Sequence, residues 1–157
     1  MNFLKILIPI DFSPCSCATL DLGAYERKME GTEITLLHAH CLLMPPLTGN
    51  PVPWEAGVLN EFNESYRKES LERLKDLAAA KFHGQSVSCE SLVSPDGVAE
   101  QICDFADKNK FELVVMGSRG HTVLGALFLG SVVQRVLLTS KVPVLVVPPG
   151  AEKTPAK

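Results

Sequence analysis

The stretch that decides the fold comes first: Phe3-Leu4-Lys5-Ile6-Leu7-Ile8-Pro9-Ile10, followed at once by Asp11-Phe12-Ser13-Pro14. The apolar run is nearly continuous, as in a strand covered on both faces; a strand with one wet face alternates instead. Ser13-Pro14 then supplies a helix N-cap with proline at the first helical position. A strand running straight into a helix begins a βαβ unit, and the rest of the chain repeats that pattern. Ala18, Leu22, Tyr25 and Met29 form one helical stripe that Gly31 can end. Ile34 to Ala39 is a second apolar run, Val87 to Val93 a third and more dilute one, Leu113 to Met116 a fourth and Val142 to Val147 a fifth. The spacing predicts a long helix from Val58 to His83, with Glu64–Lys68 and Glu69–Arg73 pairs one turn apart and Gly84 as its stop. Ser94-Pro95 repeats the cap signature ahead of a helix with Val98, Ile102 and Phe105 on its apolar stripe. Ser131-Val132-Val133-Gln134 reads as a capping box that opens a short helix. Strands alternating with helices give a mostly parallel sheet with right-handed crossovers.

Composition sets the outer limits. A chain of 157 residues has the length of one domain, and 46% apolar against 21% charged residues is enough to bury a single core. The domain is expected over residues 1–150, with residues 151–157 as a disordered tail. Fifteen Lys+Arg against eighteen Asp+Glu, a net charge of −3, argue against coating a nucleic acid. No stretch approaches the roughly 18 to 20 uninterrupted apolar residues of a membrane span. Met1 to Ile10 is broken by Lys5 and Pro9 and lacks a small-residue cleavage site, so it reads as a strand and not as a leader. Cys15, Cys17, Cys41, Cys89 and Cys103 show no CxxC spacing, which fits free thiols in a reducing cytoplasm. Residues 41–57, with Pro45, Pro46, Pro51, Pro53 and Trp54, form a long connection of the kind that is functional or mobile.

In an open parallel sheet, ligands sit beyond the carboxyl ends of the strands, where the winding reverses. Chemistry is therefore expected just after Ile10, Leu37 and Met116. After Met116 comes Gly117-Ser118-Arg119-Gly120-His121, then eight residues, then Gly130-Ser131 at a helix start. Glycines let backbone N–H groups approach an anion, and a helix N-terminus adds unpaired donors and a positive dipole end. Arg119 brings a fixed charge suited to phosphate, and the Ser131 hydroxyl a further donor. The same residues also fit a plain glycine turn with Ser131 as a mere cap, and both readings stand on the residues alone.

Two common nucleotide signatures do not apply. Gly125-Ala126-Leu127-Phe128-Leu129-Gly130-Ser131 puts serine where a P-loop needs lysine, and no GxGxxG follows the first strand. A phospho-receiver also fits poorly: Lys141 before Val142-Pro143 suits one, but the first strand ends in a single acid, Asp11, and the third runs into Ser94-Pro95-Asp96, a helix start. His38 and His40 share a strand face without a third ligand nearby, so no metal site is expected there. His121 reads either as a phosphate donor or as a solvent-facing turn residue. Cys15 and Cys17, two apart on a helix, do not face each other and read as packing residues.

Gly117, Gly120, Gly130 and Ser131 spell G-x2-G-x9-G-(S/T), which resembles the nucleotide loop of the universal stress protein family. Lys5 to Ser13 is similar to that family's first strand and acidic turn, Leu36-Leu37-His38-Ala39 to its second strand, and Lys141 to Val147 to its closing strand. The resemblance covers residues 3–148 in order. It implies an α/β fold of the Rossmann-like, adenine nucleotide alpha hydrolase-like kind, a five-stranded parallel sheet of order 3-2-1-4-5 with helices on both faces. It also implies ATP, or ADP or AMP, in a cleft beyond strands one and four. By position, Asp11 would contact the ribose, Pro9 would lie beside the base, and the Ala39 backbone would meet the adenine edge. Gly117, Arg119, Gly120, Gly130, Ser131 and Val132 would surround the phosphates, with Mg²⁺ or Mn²⁺ bridging phosphate oxygens, and Met116 completes the binding set. The family closes its last strand by antiparallel pairing across a two-fold axis, which implies a homodimer through Val142 to Val147. No residue is assigned a catalytic role. A slow ATP hydrolase working through Asp11 or His121 is the enzyme alternative. A nucleotide-independent scaffold using residues 41–57 and Leu124 to Leu129 is the interaction alternative.

Overall fold

The computed structural model describes residues 3–15, 19–21, 31–42, 56–83, 87–120 and 129–149. Five strands, β1 (Lys5–Pro9), β2 (Glu33–Cys41), β3 (Ser88–Ser94), β4 (Leu113–Gly117) and β5 (Val144–Val147), form one sheet of order β3-β2-β1-β4-β5. Every neighbouring pair is parallel. Around it lie α1 (Ala56–Phe82), α2 (Val98–Lys108) and α3 (Ser131–Thr139), and residues 15 and 19–21 are helical after β1.

The continuous apolar character of β1 has its expected cause. Ile6, Leu7 and Ile8 are each 0% exposed, so successive residues pointing to opposite faces are both covered. On one face Ile6, Ile8, Ile34 and Leu36 pack with Leu20, Leu74 and Phe82. On the other, Leu7, Leu37 and Val114 pack with Ala99, Ile102, Ala106, Val133 and Val136 of α2 and α3. Each of the larger side chains among them contributes about 1.5–3 kcal/mol by leaving water.

The switch in winding falls between β1 and β4. β1 pairs with β2 over five residues, Lys5 to Pro9, whereas its pairing with β4 stops at Leu7 and Val114. Beyond that point Pro9 and Ile10 on one side and Met116 and Gly117 on the other border a cleft.

Several local expectations change. Ser94 does not cap the following helix: it is the last residue of β3, and its Oγ donates to the Gly97 carbonyl and accepts from the Gly97 N–H, at 2.6 and 3.0 Å. Gly97, at φ +123°, is the N-cap, so α2 starts at Val98; a φ that glycine alone adopts readily makes this the sharper signal. Its buried residues are Ala99, Ile102, Cys103 and Ala106, which leaves Val98 and Phe105 half-buried. The capping box at α3 does not form. Gly130 is the N-cap with no side-chain cap bond, and Gln134 Nε2 donates instead to the Leu129 carbonyl at 2.8 Å. On α1 the ion pairs are Glu64–Arg67 and Glu72–Lys75, three residues apart, in place of the expected four. β5 is shorter than the apolar run because Val142-Pro143 precedes it. The described cysteines, Cys15, Cys41, Cys89 and Cys103, are free thiols. The expectations for the stripe Ala18–Met29, Cys17, the Pro45–Trp54 connection, Gly84, His121, Leu124 to Phe128 and the tail fall outside the described residues.

Candidate functional site

The cleft beyond β1 and β4 is a cavity of about 220 Å³. All ten of the sequence-derived binding residues line it: Pro9, Asp11, Ala39, Met116, Gly117, Arg119, Gly120, Gly130, Ser131 and Val132. They arrive from four separate parts of the chain, and the topology brings them together. Sequence reasoning missed Ile10, Leu37, Val98, Ile102 and Val133, which supply apolar wall. The signal for Val98 and Ile102 was available, since a helix leaving β3 must pass the carboxyl end of the neighbouring β2.

The loop after β4 is held in place by its own backbone. Ser118 N–H donates to the Val147 carbonyl at 2.8 Å, tying the turn to β5, and Gly130 N–H donates to the Ser118 carbonyl at 2.9 Å, tying it to the start of α3. The first intrahelical bond of α3 is Gln134 N–H to the Gly130 carbonyl at 3.0 Å. The amides of Ser131, Val132 and Val133 therefore precede the helix ladder, at its positive end, and all three residues line the cavity. Gly130 N–H serves the loop, so the donors the helix can offer a ligand begin one residue later.

Two glycines stand at close approaches. A Cβ on Gly120 would run into Oδ2 of Asp11. One on Gly117 would lie 3.2 Å from Cys15 Cβ, tighter than ordinary packing. Gly120 thus lets the loop after β4 meet the acidic turn across the cleft. At Gly130, by contrast, a Cβ would find ordinary contacts of 3.6–3.7 Å, and its φ of −60° suits any residue.

The acidic turn is built from the end of β1. Asp11 is exposed, and its Oδ1 accepts the Ser13 N–H at 2.9 Å, a local side-chain turn. Between them Phe12 stands at φ +62°, a left-handed conformation costly for a bulky side chain. Behind the turn, His38 Nδ1 bonds the Ile10 carbonyl at 2.8 Å, and its ring meets Phe12 with centroids 4.6 Å apart. The Arg73 guanidinium lies 3.9 Å above the other partner of that packing, the Phe12 ring. Burial pushes the His38 imidazole below its ordinary value of 6.5, against the opposing pull of the Ile10 hydrogen bond, and Arg73 adds to the lowering. His40 is lowered as well, by burial and then by His38. Among the described residues, no cluster of three His, Cys, Asp or Glu side chains is placed to hold an ion. Arg135 Nε donates to Glu100 Oε1 at 2.8 Å, joining α3 to α2 and holding the Glu100 carboxyl below its usual range.

Such an arrangement can take a ligand with a flat apolar part and an anionic part. The apolar wall and the Pro9–Ala39 backbone accept the first; glycine-loop and helix amides with Arg119 accept the second.

Comparison with known proteins bears on the family. Residues 2–148 match the Universal stress protein family. The chain is 32% identical over 146 residues to the universal stress protein MJ0531 of Methanocaldococcus jannaschii, covering 92% of this chain and 82% of that protein. Among solved structures, MJ0577, from the same organism, superposes with a TM-score of 0.72 at 24% identity over 94% of this chain and 97% of its own. A universal stress protein in complex with cAMP gives 0.64 at 19% identity, covering 94% and 98%. One from Archaeoglobus fulgidus in complex with dAMP gives 0.50 at 20% identity, covering 93% and 98%. These structures share the fold: the parallel sheet of order 3-2-1-4-5 in a Rossmann-like α/β arrangement. With the family matched over nearly its whole length, this chain belongs to the universal stress protein family.

Proposed function

We propose that the cleft binds ATP, with ADP and AMP as related ligands, and that the protein is a cytoplasmic regulatory module of the stress response that works through nucleotide binding. The observation that carries the reading is the convergence of the glycine loop, the α3 amides, Arg119 and Asp11 on one cavity with an apolar wall. The adenine would lie between Pro9 and the Ala39 backbone, the ribose at Asp11, and the phosphates over Gly117 to Gly120 and the Ser131 and Val132 amides. Mg²⁺ or Mn²⁺ would be held through phosphate oxygens. The cAMP and dAMP complexes of structural neighbours support adenine nucleotides as the ligand class.

Calorimetric titration with Mg·ATP tests it: wild type should bind saturably. Gly130→Val keeps a backbone conformation that valine tolerates and puts a branched side chain at the border of the cleft where the phosphates would lie, so it should abolish that binding. A folded wild type that binds none of ATP, ADP or AMP ends the reading.

β5 is an edge strand, and Leu145 on it is 43% exposed. An apolar edge of this kind invites pairing. Homodimerisation through Val142 to Val147 follows as part of the proposal. Light scattering should give twice the chain mass at micromolar concentration, and a stable monomer would remove the dimer without touching the nucleotide reading.

A further inference from the structure

The face of β2 turned away from the cleft carries a buried polar cluster that nucleotide binding leaves unexplained. His38 and His40 are 6% and 7% exposed, with rings stacked at 5.5 Å. Tyr66 of α1 meets His40 edge-on at 4.5 Å and lies 6.0 Å from His38. Ser91, paired in register with His38 on β3, is 1% exposed. Among the described residues, His38 Nε2, both nitrogens of His40 and the Ser91 hydroxyl lack a hydrogen-bond partner. Groups of this sort are costly to bury, so packing alone gives no reason for them.

The cluster also touches the cleft. His38 is the one member bonded to Ile10, and it and Arg73 bracket Phe12, whose left-handed backbone presents Asp11. A strained residue keeps its conformation only while its surroundings hold it. We propose that His38 is a positioning residue of the cleft: as a neutral imidazole it braces the Asp11–Ser13 turn from behind, and its protonation releases the turn and weakens nucleotide binding.

With Nδ1–H donated to the Ile10 carbonyl, the neutral ring carries a bare Nε2. An added proton goes to Nε2, which is buried with no acceptor bonded to it. The charged groups around the ring are Arg73 from α1 and Asp11 from the turn; Tyr66 and His40 complete its titratable surroundings. Arg73 repels the new cation, and a proton on His40 would do the same. Asp11 attracts it but already accepts from Ser13. The Ile10 carbonyl also favours the cation, but burial is the larger influence and Arg73 adds to it, so the imidazolium finds its lowest energy nearer water. Moving there takes Nδ1 from Ile10 and the ring from Phe12.

The inference rests on the nucleotide reading only for its consequence, and the experiment separates the two. In ligand-free wild-type protein, the amide signals of Asp11 and Ser13 are followed by NMR from about pH 7.5 down through the midpoint of the His38 ring-nitrogen titration. They should move with the midpoint of the His38 titration. Mg·ATP affinity is then measured over the same range for wild type and for His38→Asn, whose amide can donate to Ile10 without titrating. Wild type should lose up to about tenfold per pH unit below the midpoint beyond any loss shared by the variant. The shared part belongs to the nucleotide's own protonation. A His38 titration that leaves the Asp11 and Ser13 amides unmoved, or parallel losses in wild type and variant, overturns the inference. If wild type binds no nucleotide at all, the nucleotide reading falls and the amide titration alone decides the role of His38.

Discussion

The two ends of the same sheet carry cavities of opposite character. At the amino ends of the strands a space of about 500 Å³ is bordered by Lys5, Glu33, Thr35, Ser88, Glu90 and Phe111, among others. The cleft at the carboxyl ends is less than half that, about 220 Å³, and yet it holds the convergent donors. Helix direction accounts for the contrast. α2 ends at the amino-end cavity, where Asn109 follows its last turn, and a helix C-terminus presents carbonyls and a negative dipole end. α3 begins at the carboxyl-end cleft and presents amides and a positive one. Lys5, the cation of the amino end, is engaged: its Nζ donates to the Asn109 carbonyl at 2.8 Å and lies 5.1 Å from the Phe111 ring centroid. Among the described residues no glycine borders that cavity, whereas Gly117, Gly120 and Gly130 all border the cleft. The site follows the polarity of the chain ends and the places where backbones approach, and volume is a poor guide to it.

The largest effect that can sharpen this contrast comes from a single methyl group. Gly120→Ala introduces no backbone strain, but its Cβ occupies the place of the Asp11 carboxylate, which must turn away. An exposed side chain can turn at little cost to the fold, so the thermal midpoint should change little, while loss of one charged hydrogen-bonding group from the cleft, about 1.5 kcal/mol, should lower Mg·ATP affinity about tenfold. Affinity equal to wild type, measured by calorimetry, would show that the meeting of the two loops is incidental to binding.

Much of this contrast was legible in the sequence. The strands were readable because burial on both faces leaves uninterrupted apolar runs, and the spacing of Gly117, Gly120 and Gly130 marks the loop. What escaped was set by partners distant in the chain. Gly97 displaces Ser94 as the cap of α2 because Ser94 pairs with Cys41 at the end of β3. Ser131 and Gln134 do not form a capping box because the Gly130 amide is drawn to Ser118 and Gln134 to Leu129. The apolar wall from Val98 and Ile102 depends on where α2 crosses the sheet. His38 and His40 looked like an incomplete metal pair, since a sequence shows their shared face but not the Phe12 turn beneath them.

A middle-sized effect concerns stability at the carboxyl end. His38 and His40 both have folded-state values below the ordinary 6.5 because burial disfavours their charged forms. Above that value both are neutral whether the chain is folded or not. Below it the unfolded chain takes up protons first, so stability falls as the pH drops from about 6.5 toward the folded-state values, by at most about 1.4 kcal/mol per pH unit for each group. The thermal midpoint should be lower at about pH 5.5 than at about pH 7.5, by a few degrees for a domain of this size. His38→Asn should narrow that difference. A midpoint that is flat across the interval in wild type means that the buried pair is already solvated.

The smallest effect is expected at the amino end, and its smallness is the informative part. Lys5→Met keeps an apolar stem against Phe111 while removing the charge and the bond to Asn109. Exposed charge pairs and cation–π contacts of this type are worth about 1 kcal/mol or less, so the domain should remain folded with a slightly lower thermal midpoint. Mg·ATP affinity should stay within about twofold of wild type, because removing one exposed charge at the far end of the sheet is screened at ordinary salt. If Lys5→Met weakened binding as much as Gly120→Ala, helix polarity would have failed as the reason for the choice of end, and the larger cavity would have to be treated as the nucleotide site. If instead Lys5→Met leaves affinity alone while Gly120→Ala removes it, the two ends differ in function for the reason they differ in structure: one gathers amides around glycines, and the other gathers the carbonyl end of a helix around a lysine that is already in use.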